Sequence, residues 1–432
     1  MAGPFYVDIS DPGAWNGRTG LDTTTNCLRG FTGLQWAFDN VAVGEICYVK
    51  GSASNLEKFY NVPYDADNDT TLTDGEGVSW HDGTGVVHIV STTATSPGNV
   101  EMELLTGNIP TDGDTITGAT SGGTITAHTT IAQKGLDVDT KSGTNAGGYI
   151  KFIGCKDDAG FTVDGTRCII DGNSTSANGL NFGNGADLVW FQNFEVQECT
   201  YGIIYGAYYS EGYVFINFCS HNNAANGFRI ASGYPKWVSF IRCTSYLNGG
   251  SGFYLGTSTD LRFYFCCSYS NTGRGFEEAS PEKGNLIFGC VTHANTTVGF
   301  EVGSGTKLIN CVADGNLTKG VFVISHTNLD HTVILGCRIT NQSGAGDIGV
   351  DAGNEILLSG WNYFENNADA NVQNTGAYYF IPLDDNTTSI LEDAASQTDT
   401  GYVDSATHDF STDYTSGTDP VARRTAITVP WT

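Results

Sequence analysis

From Gly202 to Trp361 apolar and polar positions recur in one short pattern. An apolar strand closes on a cysteine, an asparagine follows four or five residues later, and then comes a glycine before a large apolar residue. The pattern reads FINFCSHNNAANGF, FIRCTSYLNGGSGF, FYFCCSYSNTGRGF, LIFGCVTHANTTVGF and LINCVADGNLTKGV. Cys219, Cys243, Cys267, Cys290, Cys311 and Cys337 lie 24, 24, 23, 21 and 26 residues apart, and Gly227, Gly252, Gly275, Gly299 and Gly320 keep step with them. Strand-type residues at such a period, without helical spacing, predict a β-solenoid with one coil per repeat.

Stacking explains the pattern. Successive coils lie about 4.8 Å apart, so each repeat position becomes a ladder. Inward ladders must be apolar and uniform in size. Phe228, Phe253, Phe276, Phe300 and Val321 predict one, and the cysteines, as small soft hydrophobes, predict another. Of the doublet, Cys267 is expected inward and Cys266 outward; Phe194 and Trp361 take the cysteine position near the two ends. Asn223, Asn248, Asn271, Asn295, Asn316 and Asn341 fall where the chain turns, where stacked amides pair with each other and with freed backbone groups. The glycines suit either a positive φ or a close backbone approach.

The rest divides by pattern. Residues 1–55 read as a cap and first coil: FYVDIS is a strand, residues 33–41 carry Leu34, Ala37, Phe38 and Val41 at helical spacing, and GEICYVKGS is a strand again. An amphipathic helix there would cover the bare apolar end of a solenoid. Residues 56–135 break the rhythm with alternating apolar positions between Gly-rich turns, which predicts an inserted antiparallel β module. Coils fill residues 136–375, and residues 376–432 form a C-terminal cap or arm.

Strand, helix with Leu34-Gln35-x-Ala37, Gly44-Glu45 and then Tyr48-Val49-Lys50-Gly51 resembles the opening of the right-handed parallel β-helix, pectate-lyase-like superfamily. With the repeats, the resemblance covers residues 3 to about 375 and implies an all-β solenoid. GDTITGATSGGTITA, residues 113–127, is similar to a β module of bacteriophage tail and fibre proteins. DFSTDY with the following Pro and Ala-Arg-Arg is similar to the closing segment of many β-helix repeat proteins. These resemblances imply a virion structural protein, a tailspike, fibre or capsid decoration, that is homotrimeric, is assembled in the host cytoplasm, and contacts other virion proteins and a host surface polysaccharide.

Charge narrows the partners. The 432 residues carry 47 acidic against 20 basic side chains, a formal −27, which disfavours nucleic acid and strongly anionic polysaccharides. No run approaches 18 apolar residues, so no membrane span is expected, and MAGPFYVDIS does not read as a secretory signal. The cysteines, one per coil and without a CxxC pair, are expected as free buried thiols.

Candidate chemistry lies on the outward position after each ladder aromatic: Ile204, Arg229, Tyr254, Glu277, Glu301 and Phe322. Stacked Glu277 and Glu301 would repel, raising one pKa, and together with the ligand-binding candidates Arg229 and Tyr254 would make a sugar strip with an acid/base pair. The competing reading is a solvated face with splayed glutamates. Glu278 is expected in a loop. The signatures of pectate lyases and polygalacturonases are missing: LVWFQNFEVQE offers Glu195 and Glu198 but no Asp-His. His221 and His293 read as core-edge or turn residues. Asp65, Asp67, Asp69, Leu72 and Glu76 fit positions 1, 3, 5, 8 and 12 of a calcium loop, with Thr70 where glycine is expected. The alternatives are thus a virion attachment protein and a polysaccharide-cleaving β-helix enzyme, a hydrolase or lyase; calcium is the one cofactor considered.

Overall fold

The computed structural model describes residues 4–380, less short stretches of which the longest are 66–71, 90–97, 139–147, 206–211 and 325–331. Two compact units divide the chain, residues 1–224 and 225–432.

In the second unit each coil places one short strand on each of three parallel sheets, called here faces one, two and three. One coil runs Ser239–Ile241, Thr244–Tyr246 and Phe253–Leu255; the next runs Arg262–Tyr264, Cys267–Tyr269 and Phe276–Glu278, each strand parallel to and in register with its predecessor. Two aromatic columns fill the interior. Phe228, Phe253, Phe276 and Phe300 stack from face three with centroids 4.6, 4.6 and 5.1 Å apart. Phe240 and Phe263 stack from face one at 4.7 Å and meet the first column edge-on. Offset stacking along each column and edge contacts between columns are the favoured aromatic arrangements.

The cysteine column differs from expectation by one residue. Cys267 pairs with Thr244 and Val291 in a face-two strand. Cys266 instead takes the inward place just before that strand, its N–H lying 3.3 Å from Cys290 Sγ. Likewise Cys219 pairs with Glu195, and Phe218 stacks on Phe194 at 6.1 Å. Alternation explains the shift: the central residue of each face-two strand, Ser245, Ser268 or Thr292, points inward, so the residue two before it does too. All twelve cysteines are free and buried.

In the second unit the amide ladder forms as expected at four positions, and in the first unit Asn223 makes the same bonds, accepting the Cys199 N–H at 3.0 Å and donating to Ser220 Oγ at 3.1 Å. Asn248 donates its backbone N–H and its side-chain amide to Asn271 Oδ1 at 3.1 and 2.9 Å, and Asn271 does the same to Asn295 at 3.1 and 3.0 Å. Asn316 continues it, but its N–H goes to Gln342 at 3.1 Å, while Asn341 turns outward onto Asp314 at 2.7 Å. The laddered glycines serve close approach: a Cβ on Gly252 would lie 2.0 Å from Ser268 Oγ. Positive φ falls instead on Arg242, Leu247 and Phe265, at the corners between strands.

The first unit stacks Phe5–Asp8, Ile46–Lys50, Ile150–Cys155, Val189–Gln192 and Val214–Ile216 on face one. Its face two holds Ser52–Ala53, Cys168–Asp171, Phe194–Gln197 and Cys219–His221. Helix α1, Gly30–Asn40, covers the inner core, with Phe38 edge-on to Phe152 at 4.8 Å.

Between the first coils, six antiparallel strands (Phe59–Asp65, Gly77–Trp80, Gly83–Ile89, Gly98–Gly107, Thr115–Gly118 and Thr124–Ala127) close on themselves, since the last also pairs with the first. Val62, Val78, Trp80, Val87, Val100, Met102, Ile116 and Ile125 fill this small barrel. It docks on α1 through ionisable side chains. The Glu103 carboxylate accepts the Phe31 N–H at 2.8 Å, and His88 joins Asp39 of α1 to Asp74 at 2.8 and 2.9 Å. Among the described residues no helix is long and apolar enough to cross a membrane. The C-terminal cap or arm lies, beyond residue 380, outside the described residues.

Candidate functional site on face three

Face three of the second unit sets one outward side chain per coil in line. Register pairs Arg229 with Tyr254, Tyr254 with Glu277, Glu277 with Glu301, Glu301 with Phe322, and Phe322 with Asp351. The alignment follows from the inward neighbours: Phe253 and Leu255 are buried, so Tyr254 faces out, and the alternation repeats at Phe228–Ile230 and Phe276–Glu278, while Glu301 keeps the register but is itself buried.

The two stacked carboxylates are not splayed apart. Arg274, two residues before ladder residue Phe276, donates Nη1–H to Glu277 at 2.8 Å and brings Nε against Glu301. Ser251 donates its hydroxyl to the other oxygen of Glu277. Burial raises the Glu301 pKa, Arg274 opposes the rise, and the neighbouring Glu277 charge adds to it. One coil further, Lys319 pairs with Asp351 and sits 4.2 Å over the Phe322 ring. The strip therefore alternates cationic, aromatic and anionic groups. Chemically it offers fixed donors and acceptors for hydroxyls, ring faces and edges for apolar patches, and one carboxyl biased toward its protonated form.

Arg274, Ser251 and Lys319 were not among the residues expected here. Ser251 and Arg274 reach the strip from the corner before a face-three strand and Lys319 from the first residue of one, positions that the repeat of the ladder residues does not reveal. Glu278 also departs from expectation. The strand continues through it and turns its side chain inward, where Asn285 Nδ2 donates at 2.9 Å, Thr306 Oγ1 lies 2.9 Å away and the Gly303 N–H also points at it. Burial pushes this carboxyl up to about 7, against the bonds that favour its charge.

The other candidates lie elsewhere. Glu76 is fully buried and accepts N–H bonds from Thr120 and Ser121 at 3.0 Å each, with the Ser121 hydroxyl at 2.7 Å and the Thr73 N–H as well. Its oxygens hold the loop between two barrel strands, an occupation different from the expected calcium contact. Asp65 is in a strand, and its side chain, like Asp67 and Asp69, is outside the described residues. His293, on face two, bonds Asp314 at 3.3 Å, which raises the imidazole's pKa. Burial opposes ionisation of Asp314, yet the bonds from His293, Asn341 and Thr340 hold it at about 2.

These features define an all-β parallel β-helix solenoid with a small antiparallel β module. No family model matches the chain, and no curated protein does. Among solved structures it is similar to pectate lyase Pel9A, at 16% identity over 86% of this chain and 78% of that one, with a TM-score of 0.49. It is also similar to the A-module of the Azotobacter vinelandii mannuronan C-5 epimerase AlgE4 (17% identity, 58% and 84% covered, TM-score 0.40) and to the Agl-KA catalytic domain (11%, 75% and 88%, 0.35). At such identities the likeness is one of fold.

Proposed function

We propose that this chain binds an extended, weakly charged or neutral polysaccharide along face three, and does so as an attachment component of a virion. The observation that carries the binding reading is the in-register strip of Arg229, Tyr254, Glu277, Glu301 and Phe322, with Arg274 clasping the two glutamates. A rigid strip repeating at coil spacing of about 4.8 Å suits a linear ligand, because each coil presents its polar group already oriented and little ordering entropy remains to be lost. The virion role is supported by the free, buried thiols and by the inserted module with its phage-like sequence. A mass-spectrometric census of purified particles tests it: fixed stoichiometry is expected, and absence from particles would remove it.

Binding is tested by calorimetry with purified host surface polysaccharide. Tyr254→Ala and Arg274→Ala should each weaken affinity by roughly tenfold or more, the scale of one lost well-placed contact of about 1.4 kcal/mol. Unchanged affinity in both would place the ligand elsewhere.

One observation favours a second reading, cleavage. Glu301 is biased toward its acid form directly over Glu277, and retaining glycosidases hold their carboxyl pair about 5–5.5 Å apart. Arg274 opposes that role, because a carboxylate held by a guanidinium is a poorer nucleophile. Release of reducing ends by the wild type and its loss in Glu301→Gln would establish cleavage; binding without any release leaves attachment alone.

A further inference from the structure

The first unit holds a cluster with different chemistry from the face-three strip. Strands Phe194–Gln197 and Cys219–His221 lie parallel on face two, with Glu195 opposite Cys219. Within the second strand Ser220 turns inward, where Asn223 Nδ2 donates to its hydroxyl at 3.1 Å, so Cys219 and His221 stand on the other side, two residues apart. The thiol, an imidazole nitrogen and a Glu195 oxygen all lie within 4.8 Å of one another.

We propose that Glu195, Cys219 and His221 bind a divalent transition-metal ion, zinc by ligand type. His221 Nε2 and Glu195 Oε1 are 3.2 Å apart. Two ligands at about 2.0–2.2 Å from one tetrahedral ion are separated by roughly 3.4 Å, so this pair is already spaced for a shared ion. Sulfur and imidazole together select zinc and its neighbours over calcium or magnesium. The second Glu195 oxygen is 3.5 Å from Arg167 Nη1, and Arg167 is in turn held by Asn217, its Nε donating to the backbone carbonyl at 3.1 Å and Nη2 to Oδ1 at 3.0 Å. That arrangement orients the carboxylate from behind, as partners behind metal ligands do, and turns Oε1 onto His221 Nε2 at 3.2 Å, a contact that the ion would replace. Cys219 and His221 are 2% and 6% exposed while the Glu195 side chain is 19% exposed, so the opening is beside the carboxylate. Three protein ligands leave one position for water. The other cluster of possible ligands among the described residues, His81, Asp82 and Asp114, has no sulfur and is largely exposed.

The test is cobalt titration of the full chain after chelator treatment. One cobalt per chain should bind, with a thiolate-to-cobalt charge-transfer band in the near ultraviolet that zinc displaces. Cys219→Ser should abolish the band. His221→Ala should weaken binding beyond the ~10–100-fold typical of changes behind the ligands. Glu195→Gln should weaken binding yet keep the band. Cys168→Ser, which changes a thiol of the inward column, should leave both unchanged. No band in the wild type, or a band that survives Cys219→Ser, would overturn the site. Should Cys219→Ser not fold, as read by circular dichroism, full-strength binding in both His221→Ala and Glu195→Gln would overturn it equally.

Discussion

The coils of the second unit and the small barrel of the first bury polar groups in opposite ways. In the coils the buried polar groups are mostly neutral: Asn248, Asn271, Asn295 and Asn316 each give N–H bonds to the next coil. In the barrel and its junction with α1 they are ionisable: Glu76, His88, Glu101 and Glu103 are each no more than 3% exposed. A repeated site can be closed by one residue that both donates and accepts, since every copy supplies what its neighbour lacks. A junction made once has no such partner, and unrelated segments must meet there through carboxylates, an imidazole and Lys134.

The sharpest way to break the comparison is to remove a core ring. Phe263 is fully buried, stacked on Phe240 and edge-on to Phe253 and Phe276. Phe263→Ala should cost about 3–5 kcal/mol. Hydrogen exchange should localise the loss to peptides of residues 239–340 and leave residues 77–127 protected.

Next in size is the pH dependence, because Glu103 of the barrel and Glu278 of the coils, both raised to about 7, share one window while His88 of the barrel titrates above it. Burial alone would push His88 down, but Asp39 and Asp74 outweigh it and hold the imidazole at about 9, against 6.5 when unfolded. A raised folded pKa gives stability that is complete below 6.5 and lost as pH rises through about 9. The gap, at about 1.4 kcal/mol per pH unit, is worth about 3 kcal/mol to the barrel junction. Glu278 in the coils is raised from 4.5 to about 7, so its share is complete below 4.5 and gone above 7. Hydrogen exchange across pH 5–9 should show the barrel weakening until about 9, and in the coils the Glu278 share gone by 7 with the His293 share lost as pH rises past the ordinary imidazole value. His88→Gln should remove the later decline only.

Smaller again is Asn271→Ala, which leaves the Asn248 N–H without its acceptor and should cost about 1–3 kcal/mol. That ladder shows what the sequence discloses. A period discloses whichever positions repeat: the aromatic column, the outward strip from Arg229 to Phe322, and the amides from Asn223 to Asn316 were legible because each is confirmed by the coils on either side. Where two candidates adjoin, period alone does not choose. Cys266 took the inward place over Cys267 by strand alternation, and Gln342 took the ladder place over Asn341 at the corner after the strand, where Asn341 holds a positive φ. The corners were hidden too, since Arg242, Leu247 and Phe265 hold positive φ where glycine would be the usual sign. Contacts made once were beyond reading altogether: Phe31 and Glu103 stand 72 residues apart, and Arg274 announces nothing in the segment SNTGRGF.

The finest test compares two pairs of rings with the same geometry. Phe240 and Phe263 stack inside at 4.7 Å and 2°, and Tyr246 and Tyr269 stack on the outer side of face two at 4.8 Å and 1°. Both pairs are set by the same coil spacing, so they differ mainly in burial. If burial holds the column together, Tyr269→Ala should cost only about 0.5–1.5 kcal/mol, the stacking share, against the larger loss at Phe263. Denaturant midpoints of the two variants decide it. Equal losses would mean that ring-on-ring stacking, rather than removal of apolar surface from water, fixes the coil spacing, and the outward strip on face three would then be held by its own side chains as firmly as by the core beneath it.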